Sequence, residues 1–377
     1  MVQQSKREYL EKVRDRYQRA GRRHKQLILD EFCKNCDYHR KHAIRLLNRP
    51  APVTHPRPGP RCYYDEAVRE ALKVLWLATN RLCSKLLKAA IPLWLPYYPP
   101  TPPFTPATRQ KLHRISPASI DRLLRPVRQH YGAHGLAATR PNHRLKHQVP
   151  IRTSHADVDR PGFIQADSVA HGGDSMEGDF IWSITLTDVF SQWTACRVVW
   201  NKGYAGVAQA VQTIETQLPF RLLAFHSDNG GEFLNHHLRR YFLERQIPIV
   251  QTRARPDHKD DNAHVEQKNW MHVRQLLGYQ RLDNPDLIPL LNRLYEAWDL
   301  FQNYFCPTLK LTSKTKLGAR YIRRYEAPRP PVQRLLDSPF INEPLKTHLT
   351  ETRLNLNPLN LKKLIDHHQR LALASPR

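Results

Sequence analysis

Three acidic residues, far apart in the chain, have the types and contexts that metal-dependent chemistry requires. Asp167 interrupts the otherwise uncharged segment 163–169, which predicts a buried strand. Asp228 comes three positions after the apolar run 222–225 and precedes an Asn-Gly-Gly turn, and Glu266 lies in a predicted helix. Because an unpaired carboxylate in a buried strand is costly, Asp167 is expected to have a partner or to bind a cation.

Carboxylates are the ligands that suit phosphodiester chemistry with magnesium. Mg²⁺ prefers hard oxygen ligands and retains waters that substrate phosphate can replace, whereas histidine or cysteine in these positions would favour zinc. Two such ions, roughly 3.5–4 Å apart, activate the attacking oxygen and stabilise the leaving one. The three acids therefore predict a site for two Mg²⁺ ions, for which Mn²⁺ can substitute.

The segments around these acids resemble the DDE integrase catalytic core that retroviral integrases and bacterial insertion-sequence transposases share. The likeness is carried by Ile-Gln-Ala-Asp at 164–167, His-Ser-Asp-Asn-Gly-Gly-Glu-Phe at 226–233 and Asn-Ala-His-Val-Glu-Gln-Lys-Asn at 262–269. The resemblance covers roughly residues 160–310 and implies an RNase H-like fold. The gap of 38 positions from Asp228 to Glu266 is slightly longer than the usual retroviral one, which favours the bacterial branch.

The resemblance implies metal-dependent cleavage of DNA at the ends of an element, followed by strand transfer into target DNA. Asp167 would contact both metal ions, Asp228 would complete one site and Glu266 the other. Hydrolysis at the ends of a mobile element would free 3′-hydroxyls, which then attack target DNA. The partners would be double-stranded DNA, as terminal inverted repeats and target, and the chain would act as a dimer or larger assembly because two ends are joined. The alternatives are an RNase H-type nuclease without strand transfer and a catalytically silent, transposase-derived regulator.

Polar residues close to Glu266 are candidates for contacts with DNA. Asn262, Glu266 and Asn269 are four and three residues apart, so they share one face of the predicted helix. Asn262 and Asn269 are expected to position DNA or to orient Glu266. Lys259 and Lys268 flank the site and are expected to bind substrate phosphates, with a solvated helix surface as the alternative.

Other chemistry-bearing residues have simpler explanations. Asp188 is expected to be a hairpin-turn residue, and Asp260 and Asp261 are expected to cap the helix of Glu266. Core packing is expected, rather than stacking on bases, for Trp193, Trp200, Trp270 and Trp298.

The cysteines favour reduced thiols over a metal site. Cys33, Cys36, His39 and His42 are zinc-type ligands, but all lie within ten residues, and known zinc spacings insert about a dozen residues between the two pairs. We expect histidines that face DNA or solvent, and leave zinc binding open.

Charge identifies the class of partner. The net charge is +25, made up of +20 in residues 1–150, −4 in 151–300 and +9 in 301–377. Basic flanks around a slightly acidic middle suit a protein that grips a polyanion, a property shared with ribosomal and structural nucleic-acid binders. No apolar run approaches the roughly 20 residues of a membrane span, and the N-terminus lacks the apolar core of a signal peptide. A cytoplasmic, nucleoid-associated protein is expected.

Two helical regions are expected to recognise DNA. Apolar spacing predicts three helices in 6–48, with Asp37 capping the third and Arg40, Lys41 and Arg45 outward, in the outline of a helix-turn-helix. After a helix at 65–90, residues 107–130 suggest a second such unit, in which Ser116 caps a helix that presents Arg122 and Arg125.

The expected fold is multidomain, with an all-α helix-turn-helix region followed by an α/β RNase H-like core with a mixed sheet. In that core, strands are predicted at 163–169, 180–189, 193–200, 221–226 and 247–252, and helices at 205–217, 232–246, 260–279 and 287–305. The predicted regions are a helix-turn-helix domain at 1–49, a Pro-rich linker at 50–64, a second DNA-binding region at 65–150, the catalytic core at 155–310 and a basic C-terminal region at 311–377.

Overall fold

Three helices form the first of the two units into which the chain divides, Met1–Tyr63 and Tyr64–Arg377. The computed structural model describes residues 3–50, 63–129, 131, 158–228, 230–254, 268–317 and 320–374. Helix α1 is Gln3–Arg19, α2 is Arg22–Cys36 and α3 is Arg40–Asn48. The three helices bury a common core, made of Val13, Tyr17, Ile28, Leu29, Phe32, Cys36, Ala43 and Leu47.

The prediction that Asp37 caps the N-terminus of α3 is wrong. Asp37 has φ of 56°, a left-handed conformation that aspartate tolerates, and it ends α2 by donating its backbone N–H to Cys33 O. The N-cap of α3 is His39 instead, whose Nδ1 accepts a hydrogen bond from Lys41 N at 3.4 Å. The turn between α2 and α3 therefore combines a left-handed C-cap with a histidine N-cap.

Four helices begin the second unit: α4 (Glu66–Ala78), α5 (Ser84–Trp94), α6 (Pro106–Arg114) and α7 (Pro117–Gln129). The single helix expected over 65–90 is broken, because Asn80 (φ 54°) and Arg81 (φ 64°) both adopt left-handed conformations between α4 and α5. The cap predicted for α7 is confirmed, since Ser116 Oγ accepts from Ser119 N at 3.2 Å.

A mixed five-stranded sheet forms the centre of this unit. The strands are β1 (Phe163–Ala170), β2 (Ile181–Asp188), β3 (Thr194–Trp200), β4 (Ala224–Ser227) and β5 (Val250–Arg253), in the order β3-β2-β1-β4-β5. Pairing is antiparallel among β1, β2 and β3, and parallel from β1 to β4 and from β4 to β5. This sheet, with its surrounding helices, fits the RNase H-like core that the resemblance implies.

Helices cover both faces of the sheet. Helices α8 (Tyr204–Gln217) and α9 (His236–Leu243) pack their apolar sides on one face. The helix predicted at 232–246 begins later than expected because Asn235 Oδ1 caps it, accepting from Leu238 N at 3.0 Å. The other face packs against α10 (Leu287–Phe305), which follows a π-helix at Asn269–Arg274 and a short α-helical extension, Gln275–Leu277.

The C-terminal region, expected only as basic sequence with proline breaks, contains defined elements. Strands β6 (Leu311–Leu317) and β7 (Arg320–Tyr325) form a separate two-stranded antiparallel sheet. Three helices follow: α11 (Pro331–Leu336), α12 (Glu343–Asn355) and α13 (Pro358–Ala374). Their buried apolar residues join the core of α4–α7 and α10, where Trp94 Nε1 donates to Phe305 O at 3.0 Å. None of the helices described has both the length and the apolar character needed to cross a membrane.

Candidate functional site

The parallel pairing of β1 and β4 brings Asp167 and Asp228 onto neighbouring strand positions. Ala166 is the register partner of Ser227, and each acid is the next residue along its own chain segment. Strand β4 ends at Ser227, so Asp228 lies at the carboxyl end of a strand, beside the middle of β1. Both acids are partly exposed, in contrast to the buried residues that precede them. Two acids from distant parts of the sequence thus lie at neighbouring positions on β1 and just after β4.

The carboxylate of Asp167 is held at both oxygens. Its Oδ1 accepts a hydrogen bond from Ser168 N at 2.8 Å, and its Oδ2 accepts one from Asn269 Nδ2 at 2.6 Å. Asn269 is the first residue of the π-helix. It is also the last residue of the motif that contains Glu266, so this contact joins the helical segment to β1.

The chain turns sharply after Asp228. Its Oδ1 accepts from Gly230 N at 2.9 Å, which closes a turn of the kind that aspartate side chains form with their own backbone. A side chain at Gly230 would displace that of Glu232, because a Cβ there would lie 2.7 Å from the carboxyl carbon of Glu232. The hydrogen bond from Gly230 N therefore orients the carboxylate of Asp228.

Glu232 is a buried acid that the sequence analysis did not single out. Its side chain is about 6% exposed; Oε1 accepts from Ser168 Oγ at 2.7 Å and Oε2 lies 3.8 Å from Lys202 Nζ. Ser168 thus links Glu232 to the carboxylate of Asp167, which accepts from the Ser168 backbone. The sequence feature that could have identified Glu232 is its position in the motif at 226–233, four residues after Asp228.

Glu266 lies outside the described residues, as do Lys259, Asn262, Asp260 and Asp261, so the expectations for them are not tested. Among the residues that the structure does describe, no group of three or more His, Cys, Asp or Glu is placed to hold a metal ion. The described ligands still suit Mg²⁺, because Asp167 and Asp228 offer hard oxygen atoms. Asn269 Oδ1 adds a further oxygen, buried beside Asp167 and without a hydrogen-bond partner among the described residues.

The two residues on either side of Asn269 occupy unexpected positions. Lys268, expected to face DNA phosphates, is only 4% exposed, and burial, followed by the charge of Arg334, lowers its pKa to about 7. Trp270, expected in the core, is 55% exposed, whereas Trp193 and Trp298 are buried as expected. The helical segment therefore presents an aromatic ring, and not the lysine, to solvent next to the acid pair.

Asp188 has the turn role expected for it. The side chain is fully buried and accepts from Gly162 N at 2.9 Å, Ser191 N at 2.7 Å and Ser191 Oγ at 2.6 Å. Burial raises its pKa to about 6, against the effect of these donors and of the Lys310 charge. It stabilises the turn between β2 and β3.

The basic residues proposed for DNA contact lie on helix surfaces. In the first unit Arg40, Lys41 and Arg45 are exposed on α3, and in the second unit Arg122 and Arg125 are exposed on α7. Arg40 forms an ion pair with Asp30, a neighbour on α2. Their roles in DNA binding remain predictions.

The zinc-type residues of the first unit are divided between its core and its surface. Cys36 is buried in the three-helix core, Cys33 is half-buried, and His39 and His42 are exposed. His39 is occupied as the cap of α3, and the ring of His42 packs edge-on against Tyr38, with ring centroids 5.0 Å apart. The described cysteines are free thiols: Cys33, Cys36, Cys83, Cys196 and Cys306.

Comparison with known proteins gives a close sequence relative. The chain is 38% identical over 333 residues to uncharacterized protein y4rM of Sinorhizobium fredii (strain NBRC 101917 / NGR234), covering 87% of this chain and 94% of that protein. No protein-family model matches.

Solved structures show weaker similarity. The catalytic core domain of BIV integrase matches at 18% identity over 31% of this chain and 70% of its own, with a TM-score of 0.25. A chain of the simian T-cell lymphotropic virus intasome in complex with PP2A regulatory subunit B56 gamma matches at 16% identity, over 44% of this chain and about half of its own (54%), with a TM-score of 0.28. These scores are low, and the description of the fold rests on the strand order and pairing given above.

Proposed function

We propose that this chain, which belongs to the same family as protein y4rM of Sinorhizobium fredii, is a DNA transposase or integrase of the DDE type. The observation that carries the proposal is the pairing of β1 with β4, which sets Asp167 beside Asp228. The contact from Asn269 to Asp167 supports it, because Asn269 is three residues after Glu266 and belongs to the same motif. Glu266 is proposed as the third acid.

Asp167, Asp228 and Glu266 would hold two Mg²⁺ ions, or Mn²⁺ in their place. When bound, such ions activate the attacking oxygen and stabilise the leaving oxygen of a phosphodiester. The chain itself orients the ligands: Ser168 N and Asn269 fix the carboxylate of Asp167, and Gly230 N fixes that of Asp228. Ligands held in this way lose little conformational freedom when they bind a cation or substrate.

The proposed reaction has two balanced steps on double-stranded DNA. In the first, water attacks a phosphorus at the element end, the bond to the 3′ oxygen breaks, and a free 3′-hydroxyl and a 5′-phosphate result. In the second, that 3′-hydroxyl attacks a target phosphodiester, so that one P–O bond forms as another breaks. Because two ends are joined to one target, the active species is proposed to be a dimer or larger assembly, acting on nucleoid DNA in the cytoplasm.

Recognition of the terminal repeats is assigned to the two helical regions. Helix α3, with Arg40, Lys41 and Arg45, would contact one part of the repeat, and α7, with Arg122 and Arg125, would contact another. Phosphate contacts from these side chains would set the position of the protein on DNA, while base contacts would select the sequence.

The test uses the full chain, Mg²⁺ and duplexes that carry the element's own ends. The proposal expects nicked products followed by joined products, and expects Asp228→Asn to reduce both to background while DNA affinity stays within a few fold. Asp174→Asn, which removes an exposed carboxylate outside the three acidic motifs, is the matched control and should retain activity. Nicking without joining would favour a nuclease, and binding without nicking would favour a regulator.

A further inference from the structure

The β6–β7 ribbon, defined as residues 311–325, stands apart from the five-stranded sheet. Its two strands pair with each other and form a separate sheet. All six residues of β7 are exposed, including large side chains such as Tyr321 (50%), Ile322 (46%) and Tyr325 (50%). A two-stranded sheet is marginally stable alone, and exposed apolar groups of this size commonly mark a surface that contacts a partner.

The ribbon is strongly and uniformly basic. Its sequence contains no acidic residue and five basic ones: Lys314, Lys316, Arg320, Arg323 and Arg324. Side chains alternate along a strand, so Tyr321, Arg323 and Tyr325 share one face of β7, and Arg320, Ile322 and Arg324 share the other. Each face therefore combines cations with apolar or aromatic groups.

The base of the ribbon is fixed to the second unit by a buried arginine. Arg334 on α11 is 2% exposed; it donates to Thr308 O at 2.8 Å and to Ser191 O at 3.2 Å, and it pairs with Glu326. Thr308 precedes β6, Glu326 follows β7, and Ser191 belongs to the turn between β2 and β3. The ends of the ribbon are thus held by buried contacts while β7 remains exposed.

We propose that the β6–β7 ribbon binds duplex DNA as a two-stranded β arm. The major groove of B-DNA is wide enough to admit such a ribbon, and exposed Arg320, Arg323 and Arg324, in a segment whose sequence has no acidic residue, are complementary to its phosphates. A second copy of the chain is the less favourable occupant, because two such surfaces would repel each other. This proposal rests on the proposed function only because it takes DNA as the partner. It assigns part of the contact between the protein and DNA to the β6–β7 ribbon.

The test measures the dissociation constant for a labelled duplex of random sequence over a range of NaCl concentrations. The variant Arg320→Gln/Arg323→Gln/Arg324→Gln is expected to bind more weakly and to reduce the slope of log K against log salt by up to about 3, since each phosphate contact contributes about 0.9. The control variant, Arg240→Gln/Lys363→Gln/Arg370→Gln, removes the same charge from exposed helix positions and should keep the slope close to that of the wild type. Tyr321→Ala/Tyr325→Ala is expected to weaken binding with little change in slope.

The outcomes separate this inference from the proposed function. If the wild type binds and cleaves DNA and the ribbon variant keeps its affinity and slope, the ribbon proposal is overturned while the proposed function stands. If the ribbon variant changes only the sedimentation coefficient, the ribbon is a self-association surface and the proposal is again overturned. A wild type that binds no DNA would contradict both. Unchanged thermal unfolding of each variant excludes a folding defect as the cause.

Discussion

The side-chain amide of Asn269 donates a hydrogen bond of 2.6 Å to Oδ2 of Asp167, joining residues 102 positions apart in the chain. The other oxygen of Asp167 accepts from Ser168 N, so both oxygens of the carboxylate accept hydrogen bonds. The amide of Asn269 thus contacts Asp167, while the expectation that it positions DNA or orients Glu266, which lies outside the described residues, is not tested. We therefore regard Asn269 as a positioning residue for Asp167.

Removal of the Asn269 amide should slow catalysis, because Asp167 would be less well oriented to bind Mg²⁺. Asn269→Ala is expected to lower the rate of DNA nicking about 10- to 100-fold, the usual effect of losing a group that orients a metal ligand. The Mg²⁺ concentration for half-maximal rate should rise, whereas DNA affinity should not change. Asn284→Ala, at an exposed turn before α10, is the control. A loss of DNA affinity with an unchanged Mg²⁺ dependence would point to a DNA contact instead.

Ser168 should stabilise the fold through Glu232. Ser168→Ala leaves a buried carboxylate without the hydroxyl that now donates to it at 2.7 Å, and this should lower the free energy of unfolding by about 1–3 kcal/mol. Urea unfolding would measure the change, with Ser175→Ala at an exposed position as the control. Equal stability of the two variants would show that the Ser168–Glu232 contact contributes nothing.

Periodicity predicted the elements that bury one clear face. The three helices of the first unit and the strands β1, β2 and β3 follow from apolar spacing, and the acid at 228 follows from a strand that ends in a glycine turn. These features depend on local sequence and simple burial, so they can be predicted without knowledge of the tertiary structure.

The errors fall where local geometry departs from the regular pattern. Asn80 and Arg81 break a continuous apolar stripe by adopting left-handed conformations that the sequence does not signal. At Asn269–Arg274 the chain forms a π-helix, whose wider turn changes which residues share a face. Lys268 was expected at the surface and Trp270 in the core, and the reverse is found on either side of the start of this π-helix.

Asp188 should make stability depend on pH below neutrality. Its pKa in the folded chain is about 6, above the ordinary 3.8, because burial disfavours the charged form, so the folded state holds the proton more tightly than the unfolded state between these values. Its contribution to stability is therefore present near pH 4 and is lost as the pH rises to about 6. The charged neighbour that acts on it is Lys310, which favours ionisation.

Asp188→Asn removes this titration. Between pH 4 and pH 7 the free energy of unfolding of the variant should rise relative to the wild type by up to roughly 3 kcal/mol, since a tenfold change in proton affinity corresponds to about 1.4 kcal/mol. Urea unfolding at several pH values would measure the difference. Asp174→Asn, an exposed site, should show a constant difference from the wild type over the same range. If the free energy of unfolding of Asp188→Asn also differs from that of the wild type by a constant amount at every pH, the raised pKa of Asp188 would be contradicted.

Trp270 should contact DNA directly beside the acid pair. Its ring is 55% exposed, and the preceding residue, Asn269, bonds to Asp167, so a base unpaired at a cleaved end would lie within reach of an aromatic surface. Stacking of a base on an aromatic ring contributes about 1–3 kcal/mol. We expect Trp270→Ala to weaken binding of a duplex with an unpaired end by roughly 5- to 150-fold. Trp270→Phe should retain most of the affinity for this duplex. A blunt duplex should bind the wild type and both variants with similar affinity. Equal losses for the alanine variant on both duplexes would indicate a structural role for the ring.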